Sequence, residues 1–451
     1  MLASYRLLVM LAFLSAAAIA QNEGTGTDRV HSYLLSCSPA PCVLPPTQVS
    51  QPPDESGDAP IAASPTNPKE LIVGATDNKC GFKGREGVAF YVSMDGGSAW
   101  EQQCMSDLIF NGRDYTPITD PTLGYDLNGV AYIAGNYRGL EAFQRSSDGI
   151  NWSPAKPAVF LPHYVPEYCA MAVDDSAASP YVNSVYISCV VGLDRAPFTQ
   201  QVAVARTHNG GATWELAAVT HPQSNSQDSD TAATVGADGT VYVTWMYCYD
   251  EKSGCGNNIS GYVLLSKSSD GGKSWTQPTL VTTVALHDIP NTGGGLPVTP
   301  AIAVDNSGGT HTGNLYISIF NWTGTFLQVQ VMRSTDGGNT WSRPVAVAPG
   351  VTHDQFLPWI SVSSTGLVGV SWLDRRNDPN NVDYQAFAGI SSNGGLSFQP
   401  NVQLTQAFSD PNGGVGEYDG ATWDGPTHFL GAWTDNSTGT VQDFVGGIRL
   451  K

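Results

Sequence analysis

One short phrase recurs six times along the 451-residue chain, and no other feature limits its possible folds as tightly. It reads SMDGGSAW at 93–100, SSDGINW at 146–152 (one residue shorter), THNGGATW at 207–214, SSDGGKSW at 268–275, STDGGNTW at 334–341 and SSNGGLSF at 391–398. The acidic or amide position falls at Asp95, Asp148, Asn209, Asp270, Asp336 and Asn393, at intervals of 53, 61, 61, 66 and 57 residues. A period of this size marks a repeat architecture, in which each unit buries its apolar faces only against its neighbours. Within each phrase the Asp or Asn side chain can accept nearby backbone N–H groups, and Gly supplies the positive φ of a tight hairpin turn. The closing Trp or Phe offers a large apolar ring to pack between units. These carboxylates are therefore expected to serve folding, not catalysis.

The residues around each phrase repeat too. Two apolar strands precede a third that ends in the phrase, and a fourth follows it. In the sixth unit these are 359–362, 368–373, 384–390 and 402–405. Four-stranded units about every 60 residues read as propeller blades. After the sixth phrase, 420–423, 429–433 and 444–450 supply three more strands without a phrase of their own. A fourth for that sheet is available at 47–50, which would pair the two chain ends and remove an exposed sheet edge. The expectation is an all-β protein with a single propeller domain over 47–451, in which seven blades fit better than six. Composition agrees: 14% charged residues and 49 Gly suit short strands and turns better than helical surfaces.

Arg6, the apolar run 7–17 and Ala18-Ile19-Ala20 before Gln21 read as a secretory signal peptide over 1–20, cleaved after Ala20. Residues 21–46, rich in Pro and Ser, read as a lead-in. Eight cysteines fall into the near neighbours Cys37/Cys42, Cys80/Cys104, Cys169/Cys189 and Cys248/Cys255, and an even count in a secreted chain favours disulfides. The expected location is extracellular or periplasmic. A net charge of -19 argues against nucleic acid or an anionic membrane as partner. No other run is long enough to span a bilayer, and a monomer is expected. No P-loop, dinucleotide fingerprint, G-x-S-x-G or H-E-x-x-H is present, so no cofactor or metal is assigned. An Asp-rich rim leaves structural Ca²⁺ as the open alternative, although no D-x-D-x-D-G loop occurs.

The phrase S/T-x-D/N-x-G-x-x-W is the Asp-box, or BNR repeat, and on its six copies the chain resembles the sialidase superfamily and other Asp-box propellers. The resemblance implies a glycan ligand or substrate, met on the rim opposite the boxes. Sialidases use an arginine cluster for the substrate carboxylate, a Tyr nucleophile assisted by Glu, and an Asp acid/base. The residues here that offer those types are Arg138, Arg375 and Arg376 as anion clamp, Asp374 and Asp435 beside them on the same rim, Glu417 or Asp354 as acid/base, and Tyr418 as nucleophile or hydrogen-bond donor. The chemistry suits them: guanidinium forks match carboxylates, and a neutral Tyr attacks an anionic sugar better than a carboxylate does. The sialidase R-I-P tripeptide is absent.

Bland readings stand beside these. Asp374 with Arg375 can be an ion pair that pins its loop. Glu417, Tyr418 and Asp419 can satisfy backbone donors at a blade junction, and Asp120, Asp228 and Asp230 can tie neighbouring blades. At the level of the whole chain, a glycoside hydrolase competes with a non-catalytic propeller that binds glycans or proteins at a cell surface.

Overall fold

Strands such as Val185–Leu193 and Val368–Asp374 are apolar on both faces and almost wholly buried, so each needs a sheet on either side. The computed structural model meets that need with a ring of seven four-stranded antiparallel blades. It describes residues 43–450 apart from 54, 82–84, 194–198, 225–226, 249–258, 293–297 and 399. The inner strands are Ile61–Ala63 (preceded by the short Ser56–Gly57), Thr119–Tyr125, Tyr164–Val173, Gln227–Val235, Ala301–Val304, Gln355–Val362 and Gly420–Trp423. Each packs against the inner strand of the next blade around a central channel.

The seventh blade is completed by the chain ends. Gly420–Trp423, His428–Asp435 and Gln442–Arg449 are joined by Val43–Gln48, with Val43 opposite Ile448 and Gln48 opposite Phe444. The pairing strand begins earlier than its expected start at 47, within the stretch read as lead-in. Pro45 and Pro46 are tolerated because this is an outer strand, and its register shifts between Leu44 and Thr47. The signal peptide, most of the lead-in, Cys37, Cys42 and Cys255 lie outside the described residues. Two expected disulfides, Cys80–Cys104 and Cys169–Cys189, are formed, and Cys248 is also disulfide-bonded. No helix among the described residues is long and apolar enough to cross a membrane.

The repeated turn behaves as its residue types require. In the first copy, Ser93 Oγ accepts from the Gly97 N–H at 2.8 Å, and Asp95 Oδ1 accepts from the N–H groups of Ser98 and Ala99, both at 2.9 Å. Gly96 and Gly97 have φ of 79° and 85°, which non-glycine residues adopt only with strain. The closing ring then packs on the preceding blade. Trp152 lies 4.6 Å from Phe90, and Trp214 lies 5.0 Å from Phe143, centroid to centroid. Box and ring together tie each of the six box-bearing blades to the blade before it at one rim. The opposite rim carries the loops between second and third strands and between blades.

Candidate functional site

On that opposite rim the inner strands share an irregularity. Between Gly57 and Ile61, Thr119 and Thr122, Glu167 and Ala170, Ser229 and Ala232, and Phe356 and Trp359, each carries one residue more than its partner strand. The first extra residue is Asp58, Asp120, Tyr168, Asp230 or Leu357, and every one has a positive φ, between 48° and 66°. Such a β-bulge bends the strand and re-aims a side chain. A non-glycine residue held in this region costs about 1–3 kcal/mol, and such strain gathers at functional sites. Here it recurs in five of the seven blades around the mouth of the channel.

The bulges bring carboxyl groups together. Desolvation raises Asp120 to a pKa of about 7, with further upward pushes from Asp58, Asp230 and Glu167. Burial likewise takes Asp230 to about 7, against the lowering effect of hydrogen bonds from Ser229 and Thr299. Glu417 reaches solvent at the mouth, yet loss of hydration there, followed by the charges of Asp58, Asp120, Asp230 and Glu86, pushes it up to about 8. Asp58 is buried, and its Oδ1 accepts from the Glu417 N–H at 2.6 Å while Oδ2 accepts from Thr76 at 2.9 Å. Below the mouth lies a cavity of about 150 Å³, lined in part by Tyr168, Asp230, Trp359 and Tyr418. The Tyr418 hydroxyl donates to the Pro121 carbonyl at 3.1 Å, which ties the start of blade 7 to the inner strand of blade 2 past blade 1, which lies between them. Burial raises the pKa of Tyr418, so the phenol stays neutral.

The other sequence candidates stand apart. Asp354 and Arg375 form a wholly buried ion pair at 3.2 Å. Asp354 also accepts from the Leu327 N–H at 2.9 Å and from Asn381 at 2.8 Å, and the Arg375 guanidinium lies 5.0 Å from the Phe356 ring. Arg376 pairs with Asp374 at 2.5 Å and sits 4.2 Å from the centre of the Phe387 ring. Asp374 accepts the Trp372 indole N–H at 2.8 Å, and Asp435 accepts that of Trp433 at 3.2 Å. These two carboxylates thus repeat one W-x-D arrangement in neighbouring blades. Asp77, another rim acid, is held by Tyr91, Lys79 and Gln102. Of the eight named candidates, the structure gathers Glu417 and Tyr418 at the mouth and puts Arg138 on the same rim, in clefts beside blade 2.

Sequence reasoning missed Asp58 and Tyr168, which precede no motif and are brought in by strand irregularity alone. It also missed the arm 108–115 between blades 1 and 2, although its Asn111-Gly112 pair is a hairpin signal. Among the described residues no group of three or more His, Cys, Asp or Glu has the geometry to hold a metal ion.

The site belongs to a seven-bladed all-β propeller with an acid-lined channel mouth. No family model and no curated protein matches the chain. Among solved structures, a protein of unknown function from Dyadobacter fermentans is similar at 12% identity over 91% of this chain and 100% of that one, with a TM-score of 0.50. A Hadza microbial sialidase is similar at 14% identity over 84% of this chain and 76% of its own, with a TM-score of 0.48. An ulvan lyase, from a new family of polysaccharide lyases, is similar at 16% identity over 86% and 93%, also at 0.48. At these identities the likeness is one of fold.

Proposed function

We propose that this protein is a secreted carbohydrate-active enzyme that hydrolyses a glycosidic bond at the channel mouth, on the rim opposite the boxes. The observation that carries the reading is the group of carboxyl side chains that the bulges bring to the mouth, with Glu417 reaching solvent and bonded through its N–H to buried Asp58. Glu417 holds its proton to about pH 8, while Asp120 gives its own up at about pH 7. Neighbouring carboxyl groups raised into the neutral range can divide acid and base roles between them. In this mechanism Glu417 protonates the glycosidic oxygen as the bond to the anomeric carbon breaks. The Asp120 carboxylate takes a proton from the water that forms the new bond. Tyr418, neutral and with its one O–H donated to Pro121, packs its ring against the sugar, and Arg138 contacts it from the rim. The two disulfides and the signal-peptide reading support an extracellular setting.

A second reading, a non-catalytic glycan binder, draws support from Arg375 and Arg376, whose guanidiniums are committed to Asp354 and Asp374. One experiment separates the two. A glycan panel is incubated with wild type, Glu417→Gln and Asp120→Asn, and new reducing ends are counted. The enzyme reading expects release from at least one glycan that falls about 100-fold or more in Glu417→Gln. Saturable binding with only background release from every glycan would establish the binder instead.

A further inference from the structure

Beside the channel mouth, the arm between blades 1 and 2 divides the rim surface into two clefts of about 530 Å³ each. The arm pairs Leu108–Phe110 with Arg113–Tyr115 around Asn111 and Gly112, whose φ values are 51° and 73°. Both central residues with positive φ make a tight two-residue hairpin. It is anchored by buried Leu108 and by Phe110, which meets Phe160 edge to face at 5.1 Å. The arm is therefore a preformed wall between the clefts.

Arginines gather around that wall. Arg85 and Arg138 line the first cleft, and Arg113 and Arg138 the second. All three are exposed, and no guanidinium of the three donates a hydrogen bond or forms an ion pair with a described residue. That contrasts with Arg206, Arg375 and Arg376, each paired with a carboxylate. Arg138 also occupies a position that disfavours it. With Gly139 it forms the two-residue turn between Tyr137 and Leu140, and its φ is 53°. Asn or Gly is the usual occupant of such a turn, so an Arg there is strained by the backbone. The strain keeps a guanidinium between the two clefts.

From these observations we infer that the paired clefts bind an anionic oligosaccharide, with Arg85 and Arg113 holding acidic groups of sugars on either side of the arm and Arg138 between them. This deepens the proposed function and rests on its reading of the ligand as a glycan. Glu86 and Asp114 also line the first cleft, and Asp114 the second. They argue for a sugar over a uniformly anionic chain, because carboxylates accept from sugar hydroxyls while guanidinium forks take carboxylate or sulfate. Tyr115 lines both clefts, and Tyr164 the second, as partly exposed rings. Such rings can lie against sugar C–H faces. A nucleic acid or polyacidic peptide would meet Glu86, Asp114 and a net charge of -19 with few hydroxyls to offer.

The test is direct binding by calorimetry on the full mature chain. The probes are uronate tetrasaccharides of several linkages, the same tetrasaccharides with their carboxyl groups reduced to alcohols, and a sulfated tetrasaccharide with its desulfated counterpart. The expected result is at least tenfold tighter binding of one acidic member than of its neutral match, weakening with salt. Whether the reduced or the desulfated arm loses affinity tells carboxylate from sulfate. Arg113→Ala and Arg85→Ala, both at exposed positions, should each abolish most of that preference with an unchanged melting temperature. Equal binding of acidic and neutral members, no binding of any, or a preference that survives the Arg113→Ala, Arg85→Ala double substitution would overturn the inference. Turnover reads the catalytic proposal separately. If Glu417→Gln leaves turnover intact while the arginine variants lose acidic-glycan binding, catalysis by Glu417 fails and the cleft stands. If the probes do not discriminate yet Glu417→Gln stops cleavage of a neutral glycan, the reverse holds.

Discussion

Arg138 and Arg375, both readable in the sequence as parts of an anion clamp, end in opposite environments. Arg375 has its charge buried with Asp354 and none of it is exposed. Its pKa is lowered by burial, with Asp354 acting in the opposite direction. Removing one partner of a buried pair strands the other charge at a cost of about 3–5 kcal/mol. Arg375→Ala should therefore lose about that much in denaturant unfolding, and its failure to bind glycan would be a failure to fold. Arg138→Gly should do the opposite. Glycine relieves the positive φ, so stability should rise by up to about 1 kcal/mol while acidic-glycan affinity falls. A thermal melt beside a binding isotherm checks both. A destabilised Arg138→Gly would show that this turn is not strained.

At the scale of the element, the box turns and bulges divide the labour. Ser93, Asp95 and the glycines that follow were legible because a turn of this kind needs those side chains at those offsets, and six copies state it six times. The rule can be tested at Gly211. A Cβ there would meet Phe143 at 2.0 Å with φ at +81°, so Gly211→Ala should cost about 3 kcal/mol from combined strain and overpacking. An unchanged midpoint in denaturant would contradict the packing described. The bulges were legible only in part. Asp58, Asp120 and Asp230 are acids, and the last two were readable as ties between blades, but Tyr168 and Leu357 share the same backbone state and place in the blade without the residue type. What they have in common is set by a register slip between strands, which leaves no mark in periodicity. Glu417 and Tyr418 were visible as a polar pair at a blade junction. Their grouping with Asp58 required the ring to close, because 359 residues separate Glu417 from it.

Closure also shapes the whole molecule's response to pH. Where the chain ends meet, Asp443 is fully buried, and its carboxyl oxygens accept from Ser56 at 2.5 Å and from Thr434 at 3.3 Å. Burial, then Asp58 and Asp77, raise its pKa to about 8, against the lowering effect of those hydrogen bonds. A carboxyl whose folded pKa lies above its unfolded one keeps a proton that the unfolded chain releases. Its contribution to stability is complete below about pH 4 and is lost as pH rises through about 8. Buried Asp228 and Asp230, both raised to about 7, add to the same trend. The melting temperature should fall between pH 5 and pH 8.5, and Asp443→Asn should flatten that fall. A melting temperature that climbs over this range would contradict the protonated seam.

The same proton balance operates at the channel mouth, where we propose that it serves catalysis. In the proposed reaction Asp120 and Glu417 act there as base and acid on a glycan. It is tested most directly by kcat/KM against pH for wild type and Glu417→Gln on the best glycan of the panel. Wild type should give a bell, rising near pH 7 and falling near pH 8, and Glu417→Gln a rate about 100-fold or more lower without the alkaline limb. A Glu417→Gln profile that matches wild type in height and shape would contradict it.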